Sequence, residues 1–232
     1  MIKIELHTHT DADPADRISH SARDLVDRAA ALGYGALAVT LHDRYFDPAP
    51  HADYARERGV VLLPGIERTL NRRHILLINF PPSCVDVRTF DDIVRLKQKH
   101  RGLVVAPHPF YPIPSALGRA LDAQASLVDA VEVNAMYTRL VDFNRRAVAW
   151  ARAHDKPLVG NTDLHLLDQM GTTFSLVAAE PEPDAICEAI RDGRVELHTA
   201  PLTSLQAATL FTRMCWGGLV GRVSRRLHHR HP

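Results

Sequence analysis

Short apolar runs alternate with helix-period segments along most of this chain, and that alternation limits its fold more than any other feature. Ile2, Ile4 and Leu6 are spaced by polar residues, as in a half-buried strand. Ser21 to Leu32 has a helical composition, with Leu25, Ala29 and Leu32 on one stripe and Gly33 as a stop. Further strands are predicted at Ala36 to Thr40, Val60 to Leu63, His74 to Phe80, Leu103 to Ala106, Ala130 to Val133, Leu158 to Gly160 and Phe174 to Ala178. Helices are predicted between them, ending at Arg58 and spanning Phe90 to His100, Ser115 to Leu127, Leu140 to His154 and Asp184 to Arg191. Parallel strands need crossovers of about helix length, so this order predicts an α/β layer fold or barrel.

A length of 232 residues suits one large domain with a short appendage. No repeat or low-complexity linker interrupts the pattern, so one domain is expected over 1–199 and a basic tail over 200–232. The tail has no Asp or Glu and carries Arg213, Arg222, Arg225, Arg226 and Arg230 beside Leu210, Phe211, Met214 and Trp216. A helix packed on the domain is the expectation for it. Contact with a membrane surface or a partner is the sharper alternative, weakened by Gly217-Gly218. Across the chain 28 Lys and Arg face 27 Asp and Glu, which gives no general reason to expect extended nucleic acid as a partner. Three scattered cysteines without a C-x-x-C pair suit a reducing compartment. The first strand starts at Met1, and no apolar run reaches the roughly 18 residues of a spanning helix. A cytoplasmic location follows as an expectation.

His7 and His9 stand two apart at the end of the first strand, where alternate side chains share a face. Neutral ring nitrogens placed this way suit a divalent transition metal. One such pair is weak evidence, because chance or core packing accounts for most of them. Downstream, however, His42, Glu67, His74, His108, Asp163 and His165 also fall at or near strand ends. Each has a bland account alone: His74 as a solvent-facing strand residue, His108 as a turn residue between prolines, Asp163 as a helix cap. Together they mark the strand ends at which barrel enzymes place their chemistry.

The ordered motifs H-T-H-T, T-L-H-D, P-G-I-E, a histidine on the next strand, P-H-P and T-D-L-H resemble the PHP family of phosphoesterases, over roughly residues 1–199. The resemblance implies a distorted seven-stranded (β/α) barrel with two or three divalent ions, Zn, Mn or Fe, in its mouth. It implies that His7, His9, Glu67 and Asp163 hold the first ion. Glu67 would bridge to a second, held also by His74 and His108. His42 and His165 would hold a third, together with a ligand from the loop after His9, either Asp16 or His20. The family's S-D-G in that loop is replaced by D-A-D-P-A-D, and its T-D-H after the second strand by Thr40-Leu41-His42-Asp43. Glu132 is left open between facing the substrate and orienting a ligand histidine.

The chemistry implied is hydrolysis of a phosphate ester by a metal-activated hydroxide, with Glu67 as the bridging carboxylate. Arg44, Arg68, Arg119 and Arg139 are candidate phosphate clamps, each with a solvated surface charge as the plainer account. The charge balance points to a small phosphorylated metabolite or nucleotide and disfavours extended nucleic acid. An amidohydrolase is the nearest rival, but binuclear members commonly bridge their metals with a strand-end lysine. Lys3, Lys97, Lys99 and Lys156 do not follow an apolar strand run. A metal-binding regulatory domain without turnover is the second rival.

Overall fold

The structure, a computed structural model, describes residues 1–214. Among the described residues, ten strands form two five-stranded sheets. The first sheet contains β1 (Ile2–Thr8), β2 (Ala36–Val39), β3 (Val61–Leu63), β9 (Thr173–Val177) and β10 (Val195–Thr199), in the order β10-β9-β1-β2-β3. The second runs β4 (Gly65–Leu70), β5 (Arg73–Ile78), β6 (Leu103–Ala106), β7 (Ala130–Asn134) and β8 (Leu158–Asn161) in chain order. The expected seven-stranded barrel is therefore corrected, because no single closed ladder joins the sheets. Three antiparallel junctions interrupt the parallel pattern within the sheets: β4 with β5, β5 with β6, and β9 with β1. A fourth pairs β9 with β10.

Isolated bridges join the sheets at both seams, Thr8 with Leu164 on one side and His42 with Glu67 on the other. The first seam is pinned by His9 N to Leu164 O and Leu164 N to His7 O, each at 3.0 Å. The second is pinned by Asp43 N to Glu67 O at 2.8 Å and Glu67 N to Leu41 O at 3.1 Å. At Gly65, a Cβ would sit 2.8 Å from Val39 O and 2.9 Å from Thr40 Cγ2, so glycine lets β4 come close to the end of β2.

Helix α1 (Ala22–Ala31) begins in a capping box between Ser21 and Asp24, and α3 (Phe90–Lys99) begins in one between Thr89 and Asp92. The remaining α-helices named in chain order are α2 (Ala52–Arg56), α4 (Ala120–Ala123), α5 (Asn144–Ala153) and α6 (Pro183–Arg191). One core cluster packs α1 and α2 on the first sheet through Leu25, Val26, Ala55, Leu37 and Val39. Another packs α3 and α5 on the second through Ile93, Leu96, Trp150, Val104 and Val131. The third lies between the sheets, where Ile4, Leu6, Ala38, Leu76, Val105 and Ala130 meet Ile186 and Ile190 of α6. Burying the isoleucine, leucine and valine side chains among these contributes roughly 1.5–3 kcal/mol each.

The helix expected over Ser115 to Leu127 shrinks to α4, because Gly118 takes a left-handed backbone (φ +56) and ends any continuous turn there. In the tail, residues 204–214 are helical, with Leu210 buried and Arg213 Nη1 paired to Asp168 Oδ2 at 2.6 Å. The expectations for Arg222, Arg225, Arg226, Arg230, Trp216 and the glycine pair fall outside the described residues. Among the described residues no helix is long and apolar enough to cross a membrane.

Candidate metal centre

His7 reaches the centre through an irregularity in β1. Glu5 pairs with Leu37 but Thr8 pairs with Val39, so three steps on β1 match two on β2. One extra residue reverses the alternation of side chains, as in a bulge. Ile4 and Leu6 pack against the second sheet, and His7 also reaches that sheet at Glu67 and Glu132.

Glu67 lies at the middle of the cluster, almost fully buried. Its Oε2 is 3.4 Å from His7 Nε2, 3.5 Å from His9 Nε2 and 3.1 Å from His42 Nε2. Its Oε1 is 2.6 Å from His74 Nδ1 and 3.4 Å from His108 Nε2. Asp163 Oδ1 lies 3.3 Å from both His7 Nε2 and His9 Nε2. Both Asp163 (φ +50) and His108 (φ +30) have backbones in the left-handed region, an arrangement that surrounding structure must hold in place.

These residues fit divalent ions. The buried atoms His7 Nε2, His9 Nε2 and Glu67 Oε2 have no hydrogen-bond partner, although all face the cluster. Four donors placed tetrahedrally about 2.0–2.1 Å from one ion would stand roughly 3.3–3.4 Å apart. The distances from His7 Nε2 and His9 Nε2 to Glu67 Oε2 (3.4 and 3.5 Å) and to Asp163 Oδ1 (3.3 Å each) lie close to that edge, and His7, His9 and Glu67 form one donor triple. Other donor triples within reach of a common ion are His7, His108 and Asp163; His9, Asp13 and His42; His9, Asp163 and His165; and His42, Glu67 and His74.

Further carboxylates orient these rings. Glu132 Oε2 is 2.8 Å from His7 Nδ1, and its Oε1 accepts from the His108 backbone N–H at 3.0 Å. Of the openings left for Glu132, the geometry matches the orienting one: with a proton held on Nδ1, Nε2 faces Glu67 and Asp163. Asp13 does the same for two rings at once, its Oδ2 lying 2.8 Å from His9 Nδ1 and 3.0 Å from His42 Nδ1. Sequence reasoning passed over Asp13. Its one signal was a carboxylate four residues after His9, in a loop that turns because Asp13 Oδ1 accepts from Ala15 N and Asp16 N.

The residues expected for a third ion are partly brought together, and two of them also face other donors. His42 points Nε2 at Glu67 and groups with His74, whereas His165 groups with His9 and Asp163. Asp16 Oδ2 stands between them, 3.2 Å from His165 Nε2 and 3.8 Å from His42 Nδ1. His20 turns away, its Nε2 2.9 Å from the His9 carbonyl. Of the candidate clamps, Arg68 is buried and occupied by Asp43 Oδ1 at 2.7 Å and Val87 O at 2.6 Å. Arg44 donates to the Ala12 carbonyl at 3.0 Å, while Arg119 and Arg139 are exposed.

Charge follows the geometry. Burial opposes a charge on His7, but Asp163, Glu132 and Glu67 outweigh it and hold the ring protonated well above its usual range. Burial likewise opposes ionisation of Glu67, yet His7, His108 and His74 keep it well below the ordinary carboxylate range. Without metal, protons on the histidines balance the carboxylates, and cations would replace those protons.

Both the fold and one stretch of the sequence have counterparts among known proteins. Residues 142–195 match the family model described as PHP-associated. PsfC of Pseudomonas syringae PB-5123 shares the fold at a TM-score of 0.64 and 19% identity, over 95% of this chain and 100% of that one. A protein of Bifidobacterium adolescentis ascribed to the metal-dependent phosphoesterases aligns at 0.56 and 16% identity, over 70% of this chain and 87% of that one. The lesion-specific endonuclease EndoQ of Pyrococcus furiosus aligns at 0.58 and 15% identity, over 90% of this chain and 66% of that one. No curated protein matches the sequence. The match over residues 142–195 and the shared fold support a PHP-type protein.

The endonuclease likeness overturns one expectation, that extended nucleic acid is disfavoured as a partner. Charge summed over a whole chain averages its surface and does not resolve the field at one mouth.

Proposed function

We propose that this protein is a metal-dependent hydrolase of phosphate esters. The observation that carries the reading is the division of Glu67, with Oε2 facing His7, His9 and His42 and Oε1 facing His74 and His108. A carboxylate placed this way holds two cations close together, as phosphoryl chemistry at a two-metal site requires. In this reading His7, His9, Glu67 and Asp163 would hold one ion, and Glu67, His74 and His108 would hold a second, with His42 beside them. Asp16 and His165 form the rim on the side of the first. Divalent ions held there would supply neutralisation of the phosphoryl oxygens and a water whose pKa is lowered toward about 7. Glu132 and Asp13 keep the rings aimed, and the left-handed turns at His108 and Asp163 bring donors over the same point. The buried surroundings strengthen every charge interaction inside the cluster.

Support comes from the fold shared with phosphoesterase and endonuclease relatives and from a donor set that holds both imidazole and carboxylate. The test is turnover of a phosphomonoester, a phosphodiester, a lesion-bearing oligonucleotide and an amide panel, by protein loaded with Mn, Zn or Fe. Metal-dependent cleavage of a phosphate ester, lost on chelation, is expected. Turnover confined to amides would overturn the reading in favour of an amidohydrolase, and binding of metal without turnover would favour a regulatory domain.

A further inference from the structure

We infer that a cavity of about 260 Å³ beside the metal centre binds a second anionic group of the substrate, held by Arg17 and Arg213. This rests on the phosphate-ester reading and specifies the kind of ester. The cavity is lined by the loop after β1 (Asp16, Arg17, Ile18), the turn after β8 (His165, Leu166) and the end of the described tail (Arg213, Met214).

Asp16 and His165 form the wall it shares with the centre. Asp16 Oδ2 lies 3.2 Å from His165 Nε2, and His165 Nδ1 lies 3.6 Å from Asp163 Oδ1. Glu67, His74 and His108 do not line it. A group seated here is therefore set apart from a phosphoryl group at Glu67, yet remains close enough to belong to the same molecule.

Two arginines line this space. Arg17 is exposed and makes no ion pair or side-chain hydrogen bond with any described residue. Arg213 is anchored by Asp168 at 2.6 Å, which uses one of its five N–H donors and leaves the rest of the fork available. Forked guanidinium donors match the oxygens of phosphate or carboxylate. The remaining wall, Ile18, Leu166 and Met214, is apolar and suits the carbon skeleton joining two anions. A second phosphate or carboxylate of a metabolite and a flanking phosphate of a nucleic-acid strand both carry this chemistry.

The test compares binding of phosphonoacetate, which carries two anionic groups, with methylphosphonate, which carries one, by calorimetry on the full chain. The C–P bond in each resists hydrolysis. Wild type should prefer the two-anion probe by about tenfold or more, and Arg17→Ala or Arg213→Ala should reduce that preference several-fold. Arg17→Lys should retain part of it. A dinucleotide with and without a 5′-phosphate forms a second arm. Preference for the phosphorylated dinucleotide assigns the site to a strand, whereas preference in the phosphonate arm alone assigns it to a small molecule. Equal binding of one- and two-anion probes by wild type in both arms, or full preference in both alanine variants, would overturn the inference. Because the readout is binding, it stands apart from a failure of the hydrolysis assay above.

Discussion

Asp13 Oδ2 stands 2.8 Å from Nδ1 of His9 and so fixes which nitrogen of that ring faces Glu67. The same oxygen reaches His42 Nδ1 and the His42 backbone N–H, each at 3.0 Å. Burial opposes ionisation of Asp13, but hydrogen bonds from His42 and His9 outweigh it and hold the carboxyl well below its usual range. It is a permanent acceptor that orients two ligands through one atom.

Replacing Asp13 with Ala should therefore weaken metal binding by about 10–100-fold while leaving the fold intact. Competition with a chromophoric chelator measures the affinity, and circular dichroism checks the fold. Unchanged affinity would mean that the rings are held by their packing alone.

Much of the centre was legible because histidines and carboxylates at strand ends have few structural reasons to recur. His7, His9, His42, Glu67, His74, His108, Asp163 and His165 all enter one cluster. Asp13 was missed because its role depends on a turn in the loop after His9, which residue spacing does not reveal. The sheets were harder to read. Strand β4 escaped notice because its hairpin with β5 turns at Asn71-Arg72, both at positive φ (+49 and +64), without the glycine that usually marks such a turn. That hairpin makes the second sheet partly antiparallel, so strand–helix alternation alone pointed to a barrel.

The pH dependence of stability should reverse when metal is bound. Burial lowers His42, but Asp13 and Glu67 outweigh it and carry the ring up to about 9; His165 is also carried to about 9, against burial, by Asp16 and Asp163. A histidine raised above its ordinary 6.5 stabilises the metal-free fold fully below that value and loses the contribution as pH rises toward 9. Glu5, pushed up to about 8 by burial, adds to the decline from pH 4.5 upward. Metal binding instead improves as the histidines lose protons. The Tm of chelated protein should fall between pH 6.5 and 9, and its gap from metal-loaded protein should widen. A gap that stays constant over that window would show that these rings do not exchange protons for metal.

Gly65→Ala tests the seam. The added Cβ would meet the Val39 carbonyl at 2.8 Å, and backbone cannot move aside as a flexible side chain can. Destabilisation of about 1–3 kcal/mol is expected, read from chemical denaturation. Metal affinity should fall with it, since Glu67 lies two residues along the same strand. Wild-type stability in this variant would show that the approach of β4 to β2 is looser than the geometry indicates.

Metal content tests the central claim most directly. Protein purified without chelator should contain at least about two transition-metal ions per chain, measured by elemental analysis. Glu67→Gln keeps the size of the side chain but removes the charge shared between the two histidine groups. The variant should be folded and should lose most of that metal along with phosphate-ester turnover. A folded variant that keeps the wild-type metal content, or a wild-type protein that contains no transition metal, would contradict the account.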